Sequence, residues 1–126
     1  MTDHHDHSDM AGLEQFRAFR AEMNERLIAS GNLGIKRFLA LDGQAYQEGA
    51  LDERVKELLG LVASLVLRCD DCVTYHLERS VGLEVTREEC LEAFNVGLVV
   101  GGSIVIPHLR RALRTLDALL AERAPG

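Results

Sequence analysis

"LDERVKELLGLVASLVLRCDDCVTYHLERS", residues 51–80, is the stretch that decides how this chain is read. Its first part, 51–68, is the clearest helix in the sequence. Asp52 is placed to cap it, and acidic residues in the first turn suit the positive end of a helix dipole. Val55, Leu58, Leu59, Val62, Leu65 and Val66 recur at three- and four-residue steps and form its main apolar stripe. Glu57, Leu61, Ser64 and Arg68 lie along a second side of mixed character, as expected of a helix that lines a site. The next helix begins inside "RCDDCVTYHLE" (68–78), with Asp70 or Asp71 as its cap. It runs to about Ser80, and Gly82 ends it.

Helical spacing continues on both sides. Upstream, Leu13, Phe16, Phe19, Met23 and Leu27 make one stripe, and Gly31 in "SGN" (30–32) supplies a left-handed stop. "IKRFLALDGQAYQEG" (35–49) is a less regular helical piece in which Gly43 is expected to make a break. Downstream, "TREE" (86–89) reads as a capping box, Thr86 paired with Glu89. It opens a helix carrying Leu91, Phe94, Val96, Leu98 and Val99. Ser103 or Ile106 starts the last helix, where Pro107 is tolerated because it falls in the first turn. "LVVGGSIVI" (98–106) is the one β-branched stretch, and the helices around it outweigh a strand. The expectation is an all-α fold, a compact bundle of about six helices. Residues 11–126 form its single domain, and the His-rich opening 1–10 is a disordered tail in which His4, His5 and His7 bind metal weakly at most.

Composition excludes several classes of function. Lysine and arginine number 14 against 20 acidic residues, a net charge of −6. That balance opposes a nucleic-acid surface, which needs clustered positive charge. "FNVGLVVGGSIVIP" (94–107) is interrupted by Asn95 and Ser103 and falls short of the roughly 18 apolar residues of a membrane span. No leader is recognisable at the start, so a cytoplasmic location is expected, where a close cysteine pair is more often catalytic or metal-binding than structural. The helix from 87 to 101 is apolar around most of its circumference, with Gly97, Gly101 and Gly102 allowing close backbone approach. We expect segment 94–106 to be a subunit interface of a homo-oligomer.

The cysteines then need a chemistry. On a helix, Cys69, Cys72 and His76 project within about a 60° sector. A thiolate at Cys69 would be stabilised by the free amides of the helix start, and Cys72 can exchange a proton with His76 one turn away. The two sulfurs are close enough in sequence to join as a disulfide. Zinc is the rival: Cys69, Cys72 and His76 would make three ligands, with Cys90 or His108 as the fourth. Two buried thiols beside a surface histidine is the plainest alternative.

The spacing from Glu57 through eleven residues to Cys69, two to Cys72 and three to His76 resembles the signature of the alkylhydroperoxidase D-like branch of the carboxymuconolactone decarboxylase superfamily. The resemblance covers about residues 35–120. It implies an all-helical oligomer, a trimer or hexamer, that reduces peroxides through the cysteine pair and is reset by a dithiol donor, with no other cofactor. By this resemblance Cys69 and Cys72 are the redox pair, His76 is the proton-transfer partner, and Glu57 is the carboxylate that orients it. One departure stands out. The best-known peroxidases of the branch carry a histidine between the cysteines, whereas here Asp70 and Asp71 stand there, and negative charge disfavours a thiolate.

Three functions are therefore weighed. The first is peroxiredoxin-like hydroperoxide reduction, with Cys72 attacking and Cys69 resolving. The second is decarboxylation of a lactone acid, which needs an acid and a base but no cysteines. The third is a non-catalytic helical oligomer whose cysteine pair senses redox state or binds metal.

Overall fold

The computed structural model describes residues 7–124. They form six α-helices: α1 His7–Ala29, α2 Leu33–Ala45, α3 Glu53–Val66, α4 Asp70–Gly82, α5 Arg87–Gly101 and α6 Ile106–Arg123. A 3₁₀ turn, Ser103–Val105, leads into α6. The all-α expectation holds. His4 and His5 lie outside the described residues, while α1 begins at His7, inside the segment expected to be a tail. None of the described helices is long and apolar enough to cross a membrane.

Local chemistry sets the helix ends. Asp52 accepts from the amide of Val55 at 2.9 Å and caps α3 as expected. Thr86 and Glu89 form the full capping box at the start of α5. Gly31 takes the left-handed conformation after α1, and Asn32 caps α2 through the amide of Ile35. Two expectations need correction. Gly43 does not break α2, because no side-chain or neighbouring demand there outweighs helix continuation. Nor does Asp70 or Asp71 cap α4: Cys69 does, its sulfur accepting from the amide of Cys72, so both acids fall in the first turn.

The tight link between α3 and α4 is a Schellman turn. The amide of Cys69 donates to the carbonyl of Ser64 and that of Arg68 to Leu65, both at 3.0 Å. Arg68 takes the left-handed φ of 61° that such a turn requires, a place where glycine is usual. This turn sends α4 back along α3. The two pack together, with α5 on α3 and α6 on α4. Leu61, Leu65, Val73, Leu77, Phe94 and Leu116 fill the space between them.

The inward face of α3 differs from expectation. Val55 and Leu59 are exposed, whereas Glu57, Gly60, Leu61, Ser64 and Leu65 are buried. The mixed stripe, Arg68 excepted, is the one that faces α4, because the Schellman turn brings α4 across that side. α5 also departs from burial on all sides. Cys90, Phe94 and Gly97 face the core, while Val96, Val99 and Val100 are exposed in the single chain. α2 buries none of its residues, and Phe38 and Leu41 stand open on it. α1 is tied on by buried Leu13 and by Arg17, which donates to Glu122 through both terminal nitrogens at 2.7 Å and through Nε to Glu78.

Candidate active site

The four residues singled out in the sequence converge where α3 and α4 cross. Glu57, on α3, is only 1% exposed, a place where an ionised carboxylate must be compensated. Its Oε1 accepts from Nδ1–H of His76, on α4, at 2.9 Å. Its Oε2 faces Nε of Arg79 at 3.5 Å, and Arg79 also approaches Glu53. Committing Nδ1–H to the carboxylate leaves Nε2 with its lone pair, which makes that nitrogen the one available to take up a proton.

Cys69 and Cys72 are joined in a disulfide, with their α-carbons 5.3 Å apart. The bond sits at the positive end of α4. Cys72 and His76, one helical turn apart, both line a cavity of about 330 Å³. Phe16, Phe19 and Met23 of α1 give it an apolar wall, and Asp42, Asp71 and Arg20 supply charge of both signs. Arg20 lies 4.1 Å over the ring of Tyr75. A larger cavity of about 430 Å³ adjoins it at Phe16 and Asp71 but is lined by neither cysteine nor by His76. Of these two, the smaller is the one lined by Cys72 and His76.

The acids between the cysteines have different surroundings. Asp70 accepts from His108 Nδ1–H at 2.8 Å and faces Arg111 at 3.4 Å, both from α6, so its charge is balanced from across the groove. Asp71 lines both cavities. The pairing also bears on zinc, since one ring nitrogen of His108 is committed to Asp70 and Cys90 is buried in the core. Among the described residues no group of three or more His, Cys, Asp or Glu is gathered for a metal ion. Burial, reinforced by Glu89, pushes the Cys90 thiol up to about 11.

Two site residues escaped the sequence. Tyr46 places its hydroxyl 3.4 Å from His76 Nε2. Gly60 opens the space in which they meet: a Cβ there would stand 2.7 Å from His76 Cε1 and 2.9 Å from the Tyr46 hydroxyl. No motif points to Tyr46. Gly60 carried one weak signal, as a glycine in the middle of a strongly helical segment, a position that calls for a packing reason.

Known proteins share this arrangement of helices. Residues 35–115 match the model of the carboxymuconolactone decarboxylase family. Crystal structures of one Thermotoga maritima protein superpose with TM-scores of 0.85 and 0.82, at 52% and 53% identity; they cover 86% and 85% of this chain and 96% and 91% of that one. That protein is described as a member of the same family for which involvement in an antioxidative response has been suggested. A family protein from Legionella pneumophila in its apo form superposes with a TM-score of 0.59 at 30% identity, over 95% of this chain and 97% of its own. An uncharacterised protein of Cupriavidus necator is 31% identical over 79% of this chain and 91% of itself. By the match over 35–115, and by relatives aligned over most of their length, the chain belongs to the carboxymuconolactone decarboxylase family.

Proposed function

We propose that this protein is a thiol-dependent oxidoreductase that reduces hydroperoxides through Cys69 and Cys72. The observation that carries the reading is the buried Glu57–His76 pair, whose imidazole shares a cavity with Cys72 at the start of α4. His76 Nε2 takes the proton of the Cys72 thiol. The thiolate attacks the outer oxygen of a hydroperoxide, the O–O bond breaks, and the alkoxide leaves with the proton from His76. Cys72 becomes a sulfenic acid. Cys69 condenses with it, releasing water and closing the disulfide, and an external dithiol restores both thiols by exchange. The Cys69–Cys72 disulfide supports the reading, since the two sulfurs are within bonding reach as the resolving step requires.

We infer also that the chain works as a homo-oligomer. Support comes from α2, which buries nothing within its own chain, and from exposed Val96, Val99, Val100 and Ile104.

The test is hydroperoxide consumption with a panel of dithiol donors. Cys72→Ser should abolish turnover, and His76→Ala should lower it roughly 10²- to 10⁴-fold, the usual worth of general-base help. Glu57→Gln should cost less, and the double variant should show less than the product of the two effects. Carbon dioxide release from a lactone acid that survives Cys72→Ser would replace this reading with decarboxylation.

A further inference from the structure

The residue that meets the reactive face of His76 comes from a part of the fold that no motif marks. Tyr46 follows the last turn of α2, and its ring centroid lies 5.1 Å from that of His76 at a tilt of 43°. Its hydroxyl faces Nε2 at 3.4 Å, while Nδ1 is held by Glu57 on the other side of the ring. α3 accommodates the meeting only because residue 60 lacks a side chain. A Cβ there would lie within 2.8 Å of Nε2 and 2.9 Å of the Tyr46 hydroxyl. Three elements thus converge on one nitrogen.

We propose that Tyr46 is a positioning residue for His76, its hydroxyl fixing the direction and proton affinity of Nε2. The meaning of this for turnover rests on the peroxidase reading above. A phenol both donates and accepts. Toward neutral His76 it donates to the Nε2 lone pair and keeps the ring aimed, and the O–H turns off that lone pair when Nε2 takes the Cys72 proton. Once His76 carries the proton of Cys72, the same oxygen accepts from Nε2–H and holds that proton in place until the alkoxide takes it. The phenol remains protonated through this exchange: burial raises its pKa first, and the charges of Asp42 and Glu57 raise it further.

Two substitutions at position 46 act in opposite directions. Tyr46→Phe keeps the ring and removes the donor, and replacement by 3-fluorotyrosine makes the donor stronger. In the reduced, ¹⁵N-labelled protein, the His76 Nε2 resonance should move one way in Tyr46→Phe and the other way with fluorotyrosine. The rate of Cys72 alkylation against pH should shift its inflection in Tyr46→Phe, and hydroperoxide turnover should fall roughly 2- to 10-fold, the worth of one neutral hydrogen bond. An Nε2 resonance and an alkylation profile that superpose on the parent's in both forms would overturn the proposal, and Tyr46 would then be a packing ring only. The nitrogen signal is read without peroxide. It therefore decides the role of Tyr46 even in a protein that consumes none, whereas the peroxidase reading falls on the parent's own turnover.

Discussion

Gly60→Ala should be destabilising, against the usual sign for a glycine inside a helix. In an open helix interior the change gains about 1 kcal/mol, because alanine loses less backbone entropy on folding. Here the new methyl would stand 2.7 Å from His76 Cε1 and 2.8 Å from Nε2. Ordinary carbon contacts begin near 3.5 Å. The imidazole cannot swing aside freely, since its Nδ1 is bonded to buried Glu57 at 2.9 Å. Overpacking of this kind costs about 1–3 kcal/mol, and a weakened hydrogen bond to a buried charge adds about 1.5–3 kcal/mol. With the helix gain set against these, we expect a net loss of about 1.5–5 kcal/mol, which lowers Tm by at least roughly 5 °C for a chain of this length. Thermal and urea unfolding at one fixed protein concentration would measure it. Gly12→Ala and Gly43→Ala are the controls, because within the single chain nothing lies within 4 Å of either added Cβ and both sit inside helices. They should hold or gain stability. If Gly60→Ala behaves like them, the space between α3, His76 and Tyr46 is not the constraint described above.

Cys90 should resist alkylation in the folded, reduced protein while Cys69 and Cys72 react. Its thiol is pushed up to about 11, so the fold favours the protonated form. That contribution is complete below the unfolded value near 8.5 and is lost as pH rises toward the folded one, by about 1.4 kcal/mol per pH unit at most. Denaturation midpoints across this range should fall in the parent and stay flatter in Cys90→Ala. At micromolar concentration the parent should scatter light as a multiple of the one-chain mass. Val99→Glu, at a position 76% exposed in the single chain, should dissociate it, and a monomeric parent would sink the assembly proposal.

Periodicity and capping made the helices legible. Asp52 and the Thr86–Glu89 box fixed two starts, because a cap is a local contact between residues three apart. Which side of α3 faces inward was not legible, since a helix with two part-apolar sides does not reveal where its neighbours lie. The Schellman turn at Arg68 decides that, and a left-handed arginine leaves no mark in the sequence. Of the site, Glu57 and His76 could be paired through the family spacing, and the structure brings them within 2.9 Å. Tyr46 and His108 were beyond reach as partners of His76 and Asp70. They come from the residue that follows α2 and from α6, and only tertiary packing sets those distances.

Cys69 is at once the cap of α4 and half of the disulfide. A divalent sulfur accepts an amide proton weakly, and a thiolate in the same place accepts it more strongly. Reduction followed by loss of the Cys69 proton would therefore tighten the first turn of the helix that carries His76. Thermodynamic reciprocity makes the converse hold: whatever the cap gains in the thiolate state, the sulfur pair gains in its tendency to take up electrons. A cap difference of about 1.4 kcal/mol corresponds to about 30 mV in a two-electron couple. Fraying of that helical turn and oxidation of the bond are thus coupled, each changing the free energy of the other. A denaturant that loosens α4 would also alter how readily this protein holds its electrons.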